Sequence, residues 1–210
     1  MSTLPRAPEL DANVIVPLRS ESVDAVPPVT AARSTLLSAS LLAIARRGLS
    51  ERYFAALPSP LHEPIRSLVA GGWAPIELAM AHYGALDALE LSHSQQFEMG
   101  AEVGERIQKG LLGLAFRLAK TSGVTPWAGI SMFAKLMDAS FQGGDARIVK
   151  LGPKEARFET YGLPLVRYEY FRNAWRGLTS SGIETFCSRA FVKEEPGATS
   201  SSFRCRASWA

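Results

Sequence analysis

Glu98 to Lys120, EMGAEVGERIQKGLLGLAFRLAK, is the stretch on which the fold turns. Met99, Val103, Ile107, Leu111, Leu114 and Leu118 recur at steps of four, four, four, three and four. That spacing lays one apolar stripe along a helix of about six turns, and such a stripe must be covered by other elements. Glu102 with Arg106 and Glu105 with Lys109 are placed for i,i+4 ion pairs on the wet side. Gly100 and Gly104 lie one turn apart, so another helix or strand can come close there. Glu98, Glu102 and Glu105 surround the two glycines, which makes this a packing device of a water-facing fold and not a membrane dimer motif. Gly110 and Gly113 each cost about 1 kcal/mol relative to alanine in a helix interior, and mark a kink or a contact that tolerates no side chain.

Working outward, Pro75 opens the preceding helix, which is apolar over a broad arc through Ile76, Leu78, Ala79, Met80, Tyr83, Leu86 and Leu89, with His82 inside that arc. Ser92 or Ser94 caps the start of the central helix. Earlier still, Thr30 reads as the cap of a helix that carries Leu37, Leu41 and Ile44 and ends at Gly48. Ser50–Leu57, presenting Tyr53 and Phe54, and Leu61–Ala70 are two further short helical segments. Residues 1–29, rich in proline, read as a flexible leader, with a short strand or docked arm at Ala12–Leu18 as the exception.

Downstream, Thr125-Pro126 starts a helix carrying Ile130, Phe133, Met137 and Phe141 as far as Gly143-Gly144. The period then changes. Ala146–Leu151 and Glu155–Thr160 form a hairpin about Gly152-Pro153, and a helix with Phe171, Trp175 and Leu178 follows Pro164 and ends at Gly182. Phe203, Cys205, Ala207 and Trp209 alternate with Ser202, Arg204, Arg206 and Ser208, a half-buried strand whose partner is Thr185–Lys193. The expected fold is therefore α+β: N-terminal helices and a long central helix packed on a C-terminal antiparallel sheet of about four strands, with one inserted helix. Residues 30–210 form a single domain in this reading.

Composition narrows the function classes. A chain of 210 residues with 47% hydrophobic content can bury one sizeable core. A formal charge of +3, with lysines and arginines scattered along the chain, offers no patch for nucleic acid. No apolar run is long enough to span a bilayer, and no secretory signal is legible, so a cytoplasmic location is expected. Two cysteines do not make a disulfide framework. Strand parity places Cys187 outward and Cys205 inward, which predicts free thiols. HExxH, Cys-x-x-Cys, GxSxG, P-loop and GxGxxG patterns are all missing. His62, His82 and His93 lie on separate elements without metal-ligand spacing, and no nucleophile, base and orienting acid assemble. A non-catalytic role without a metal is expected. Arg204 and Arg206 with Arg189 read either as an anion patch or as a solvated strand face.

His82 has two readings: an axial haem ligand, or a core-edge histidine bonded to a backbone carbonyl. GGWAPIELAMAHYGAL, EMGAEVGERIQKGLLGL, PWAGISMFAKL and the terminal RCRASW resemble a family of myxobacterial proteins that share a domain of unknown function, over about residues 34–209. More distantly, the order of elements is similar to haem-nitric-oxide-binding and 4-vinyl-reductase-like domains. That resemblance implies haem, a small hydrophobic molecule or an acyl chain in an apolar cavity, and dimerisation in several relatives. The chain carries no Tyr-x-Ser-x-Arg stretch of the kind that holds haem propionates in those relatives. The expected pocket lies between the central helix and the C-terminal sheet, lined by Ile107, Leu111, Leu114, Phe133, Phe171, Trp175 and Phe203. A filled core is the other reading of the same residues. The three functions in view are a small hydrophobic ligand-binding or regulatory module, a homodimeric interaction subunit, and a haem sensor through His82.

Overall fold

The structure is a computed structural model that describes residues 13–109, 125–131 and 133–210. In chain order, Val14–Val16 (β1) and Ala31–Arg33 (β2) lead into helices Ser34–Arg46 (α1), Ser50–Ala56 (α2) and His62–Arg66 (α3). Trp73–Pro75 (β3), Ile76–Asp87 (α4), His93–Lys109 (α5), Pro126–Ser131 (α6) and Phe133–Ser140 (α7) follow. Phe141–Gln142 (β4), Asp145–Gly152 (β5), Glu155–Tyr161 (β6), Glu169–Glu184 (α8), Ala190–Glu194 (β7) and Phe203–Trp209 (β8) complete it. The class is α+β, as the alternation of periods requires. The main sheet is antiparallel and has five strands in the order β1-β5-β6-β8-β7, one more than the four expected.

The additional strand is β1. Its residues Val14 and Val16 pair with Val149 and Ile148, so the arm expected at residues 12–18 is docked on the sheet edge. Arg19 then fastens the chain to Asp138, to the buried Asp145 and to Gly144 O. Beyond it, Val29 N donates to Gly162 O at 2.7 Å and Gly144 N donates to Pro27 O at 2.8 Å. Gly143, Gly144 and Gly162 all sit at positive φ, and a Cβ on Gly143 or Gly162 would run into the backbone of Pro28 or Pro27. Only glycine permits both the turn and that close crossing.

A second sheet, β3-β2-β4, has three strands of two or three residues each. It corrects the expected cap at Thr30: the chain stays extended through Arg33, and the helix begins at Ser34. Thr30 N bonds Gln142 O and Ile76 N bonds Thr30 O, so its backbone serves the sheet. The partner of the last strand is also shorter than expected. Thr185–Arg189 are not strand, and pairing runs from Ala190 with Trp209 to Glu194 with Cys205. Cys187 and Cys205 are free thiols.

Met99, Val103 and Ile107 of the central helix are buried, as their spacing predicts. The second half of the expected spine, with Leu111, Leu114 and Leu118, lies outside the described residues. Ser92 and Gln95 form a capping box, Gln95 N donating to Ser92 Oγ at 3.3 Å and Ser92 N to Gln95 Oε1 at 2.9 Å. Glu102 turns away from Arg106 and pairs with Arg46 and Arg47 at the end of α1, at 2.6 and 2.8 Å. The cationic end of a neighbouring helix offers it two guanidinium groups where Arg106 offers one.

Helix α8 is the inserted helix and packs between the sheet and α5. Gln96 meets Asn173 at 2.7 Å, and Gly104 faces Ser181 eight residues on in both helices, so α5 and α8 run parallel. A Cβ on Gly100 would collide with the backbone of Ala174, and one on Gly177 with that of Phe97. The close approach read from Gly100-x-x-x-Gly104 is thus made to α8, which answers with a glycine of its own.

Candidate functional site

Where α1, α4 and α8 converge with α5, the interior changes from aliphatic to aromatic and polar. Tyr83 of α4, Phe171 and Trp175 of α8, Phe133 of α7, Phe141 of β4 and Phe158 of β6 make one continuous set of ring contacts. Phe171 and Trp175 stack at 5.6 Å, being one turn apart on α8, and Phe133 sits edge-on to Phe158 at 4.9 Å. These rings fill the space between the helices and the sheet.

His82 lies behind this set, on the α4 face that the apolar arc dictates, and is fully buried. Its Nδ1 is 2.7 Å from the Tyr53 hydroxyl and its Nε2 is 3.1 Å from Ser40 Oγ. Among the described residues neither nitrogen meets a backbone carbonyl, which corrects that half of the sequence expectation. The satisfying groups are side chains of α2 and α1. Burial lowers the His82 pKa from 6.5 to about 3, so the imidazole is neutral at physiological pH. The Tyr53 phenol is pushed well up by burial. The Tyr170 phenol stands beside Ser40 on the wall of a small void, and burial raises its pKa to about 12. The result is a buried chain of three polar side chains, Tyr53–His82–Ser40, that joins α2, α4 and α1.

Two small voids border it. One of about 20 Å³ is walled by Leu36, Ser40, Tyr83, Val103, Tyr170 and Phe171, with Trp175 and Leu178 at its back. The other, about 10 Å³, lies among Arg33, Leu36, Ile107, Leu136 and Ser140. Leu36 borders both.

Of the seven expected pocket residues, Phe133, Phe171 and Trp175 come together in the ring cluster, and Phe171 and Trp175 reach the larger void. Ile107 is buried and lines the smaller void. Phe203 is buried on β8 opposite Thr160 and borders neither void. Leu111 and Leu114 lie outside the described residues. Ser40 and Tyr53 were missed as partners of His82. Ser40 carries a hydroxyl on the Leu36–Leu37–Ala43–Ile44 face, and a polar atom on a buried stripe needs a mate. The arginines on the outer sheet face are mostly committed: Arg206 pairs with Glu155, Arg204 comes within 3.9 Å of Glu159, and Arg189 lies over Phe191.

The described residues do not fit a haem. Both His82 nitrogens are engaged, and His62 Nε2 bonds Leu57 O. His93 pairs with Glu169 at the surface. A void of about 20 Å³ has room for roughly one water-sized molecule. Among the described residues no three His, Cys, Asp or Glu side chains gather as a metal site, and no helix is long and apolar enough to cross a membrane.

The fold, by contrast, is H-NOX-like, that of the haem nitric oxide/oxygen binding domains. A mutant unliganded Fe(II) H-NOX protein from K. algicida superposes with a TM-score of 0.60 at 13% identity, over 85% of this chain and 96% of that one. A mutant H-NOX from T. tengcongensis gives 0.58 at 12%, over 84% and 97%. An oxygen-binding H-NOX domain related to soluble guanylate cyclases gives 0.56 at 12%, over 84% and 94%. No family model and no curated protein sequence matches the chain.

Proposed function

We propose that this chain is a non-catalytic sensor module of H-NOX-like fold that admits a small apolar molecule at the seam of α1, α5 and α8, without haem ligation by His82. One observation carries this reading: the interior packing is incomplete on both sides of a single side chain, Leu36. Turning that side chain aside joins the two spaces into one slot bordered by Phe171, Trp175 and Ile107. An apolar slot binds by removing surface from water and needs few polar groups to orient its guest. Kinship with the myxobacterial family and a homodimeric state belong to the same proposal.

The test is native mass spectrometry and thermal melting of the purified chain with benzene or cyclopentane. A retained guest and a rise in melting temperature are expected, and the same spectra give the subunit count. A second reading, a haem sensor through His82, is favoured by the likeness to H-NOX structures. It requires His82 to release Ser40 or Tyr53. Reconstitution with haem distinguishes the two: a Soret band that His82→Ala abolishes establishes the haem reading and overturns the first.

A further inference from the structure

Helix α8 carries a further stripe, Arg172, Arg176, Ser180 and Glu184, which recurs every fourth residue and turns to β7. Four residues of helix advance about 6 Å and two residues of strand about 6.7 Å, so the two keep pace. Strand β7 gives the backbone of its odd-numbered residues to β8: Glu195 N donates to Arg204 O, and Ala210 N to Arg189 O. The backbone of Ala190, Val192 and Glu194 therefore points to the open side of the sheet. Among the described residues no strand lies there. The stripe meets those groups in turn. Ala190 N donates to Glu184 Oε1 at 3.1 Å, and Ser180 Oγ donates to Ala190 O at 3.3 Å. Arg176 donates to Val192 O from Nε at 3.2 Å and from Nη2 at 3.0 Å, while Asn173 Oδ1 holds its Nη1 at 2.7 Å. Arg172 Nε lies 3.2 Å from Glu194 Oε1. Side chains of a helix thus supply what the backbone of a neighbouring strand would supply.

The strand that they cover is complementary to itself. Run antiparallel about Val192, it sets Phe191 opposite Lys193 of the second copy, Arg189 opposite Glu195 and Ala190 opposite Glu194, so no like charges face each other. Phe191 is 47% exposed although Arg189 lies over its ring, and an aromatic–cation pair across the two-fold would cover it. Val192 sits on the axis of that arrangement, and its carbonyl is the acceptor that Arg176 fills twice. We propose that the β7 edge is a latent two-fold interface for a second copy of this chain, held shut by Arg176. The proposal is independent of the guest reading, and a dimer of the parent chain runs through another surface.

Sedimentation velocity of the full chain tests it, as parent, as Arg176→Leu, and as Arg176→Leu combined with Phe191→Lys. Arg176→Leu keeps an apolar stem and frees the Val192 carbonyl. It is expected to strengthen self-association about tenfold or more, the size of one hydrogen bond to a charged group. Phe191→Lys in that background sets lysine against Lys193 and should return association to the parent level. Amide hydrogen exchange gives a second readout. In the parent the Ala190 amide should exchange slowly and the Val192 amide fast at every concentration, whereas in Arg176→Leu the Val192 amide should gain protection as concentration rises. Unchanged association in Arg176→Leu overturns the role of Arg176, and an increase that survives Phe191→Lys overturns the interface. A Val192 amide already protected in the parent overturns the proposal outright, a result that is read without any variant.

Discussion

Helix α8 is packed in two contrasting ways. Against α5 it offers Gly177 and receives Gly100, so backbone meets backbone at both glycines, while Gly104 faces the Ser181 side chain. Toward α1 and α4 it offers Tyr170, Phe171 and Trp175, and the opposing surface is Leu36, Ser40 and Tyr83. The first contact has no slack, because a close-packed pair of backbones cannot yield to an added atom. The second is built from large rings whose shapes do not tile, and the remainder is left as voids in a mostly apolar wall. One helix thus carries a fixed seam and an adjustable one.

That contrast is broken most severely by adding one carbon to the fixed seam. Gly100→Ala and Gly177→Ala should each cost about 3 kcal/mol or more in urea unfolding, since backbone must move and no rotamer relieves the clash. A variant that melts like the parent removes the distinction. On the adjustable seam, Leu36→Ala should cost about 2–3 kcal/mol, the low end for leucine in a core that is already underfilled. It should also bind benzene or xenon more tightly than the parent, as calorimetry or xenon NMR would show.

A smaller effect comes from His82. Its folded pKa lies below the ordinary 6.5, at about 3. Above pH 6.5 both states are neutral there and stability is flat. As pH falls below that value the unfolded chain takes up a proton that the folded chain refuses, so stability is lost at up to about 1.4 kcal/mol per pH unit. Denaturant midpoints between pH 6.5 and 5 isolate this slope, because Asp145 and Glu102, held below the usual carboxylate range by their hydrogen-bond partners, act at lower pH. His82→Gln should flatten it. The smallest effect is also the sharpest comparison. Val103→Ile adds one carbon beside the larger void and should stabilise by about 0.5–1 kcal/mol, the opposite sign to the same addition at Gly100.

The elements with a clear period were legible. Strand β8 alternates over seven residues, and its buried face is the one that alternation names. The Met99–Val103–Ile107 stripe and the glycine approach on α5 follow from spacing alone. The small sheet β3-β2-β4 was not legible, because strands of two or three residues carry no period and Ala31–Arg33 reads as helix by propensity. The site was half legible. Phe133, Phe171 and Trp175 announce themselves as aromatic core, and His82 as an exception in an apolar arc. What His82 bonds to was hidden, since Ser40 and Tyr53 are brought to it by tertiary packing of three helices. Nothing local pairs them. The exchange of Arg106 for Arg46 and Arg47 at Glu102 was hidden for the same reason.

The strand at Val14–Val16 has a consequence for anyone who shortens this protein. It seals what would otherwise be the outermost rung of the main sheet, leaving β5 with partners on both flanks. A version cut after residue 25 would present a bare row of amides along β5, ready to recruit the same row from another copy. Trimming the proline-rich leader should therefore yield a sticky molecule rather than a tidier one.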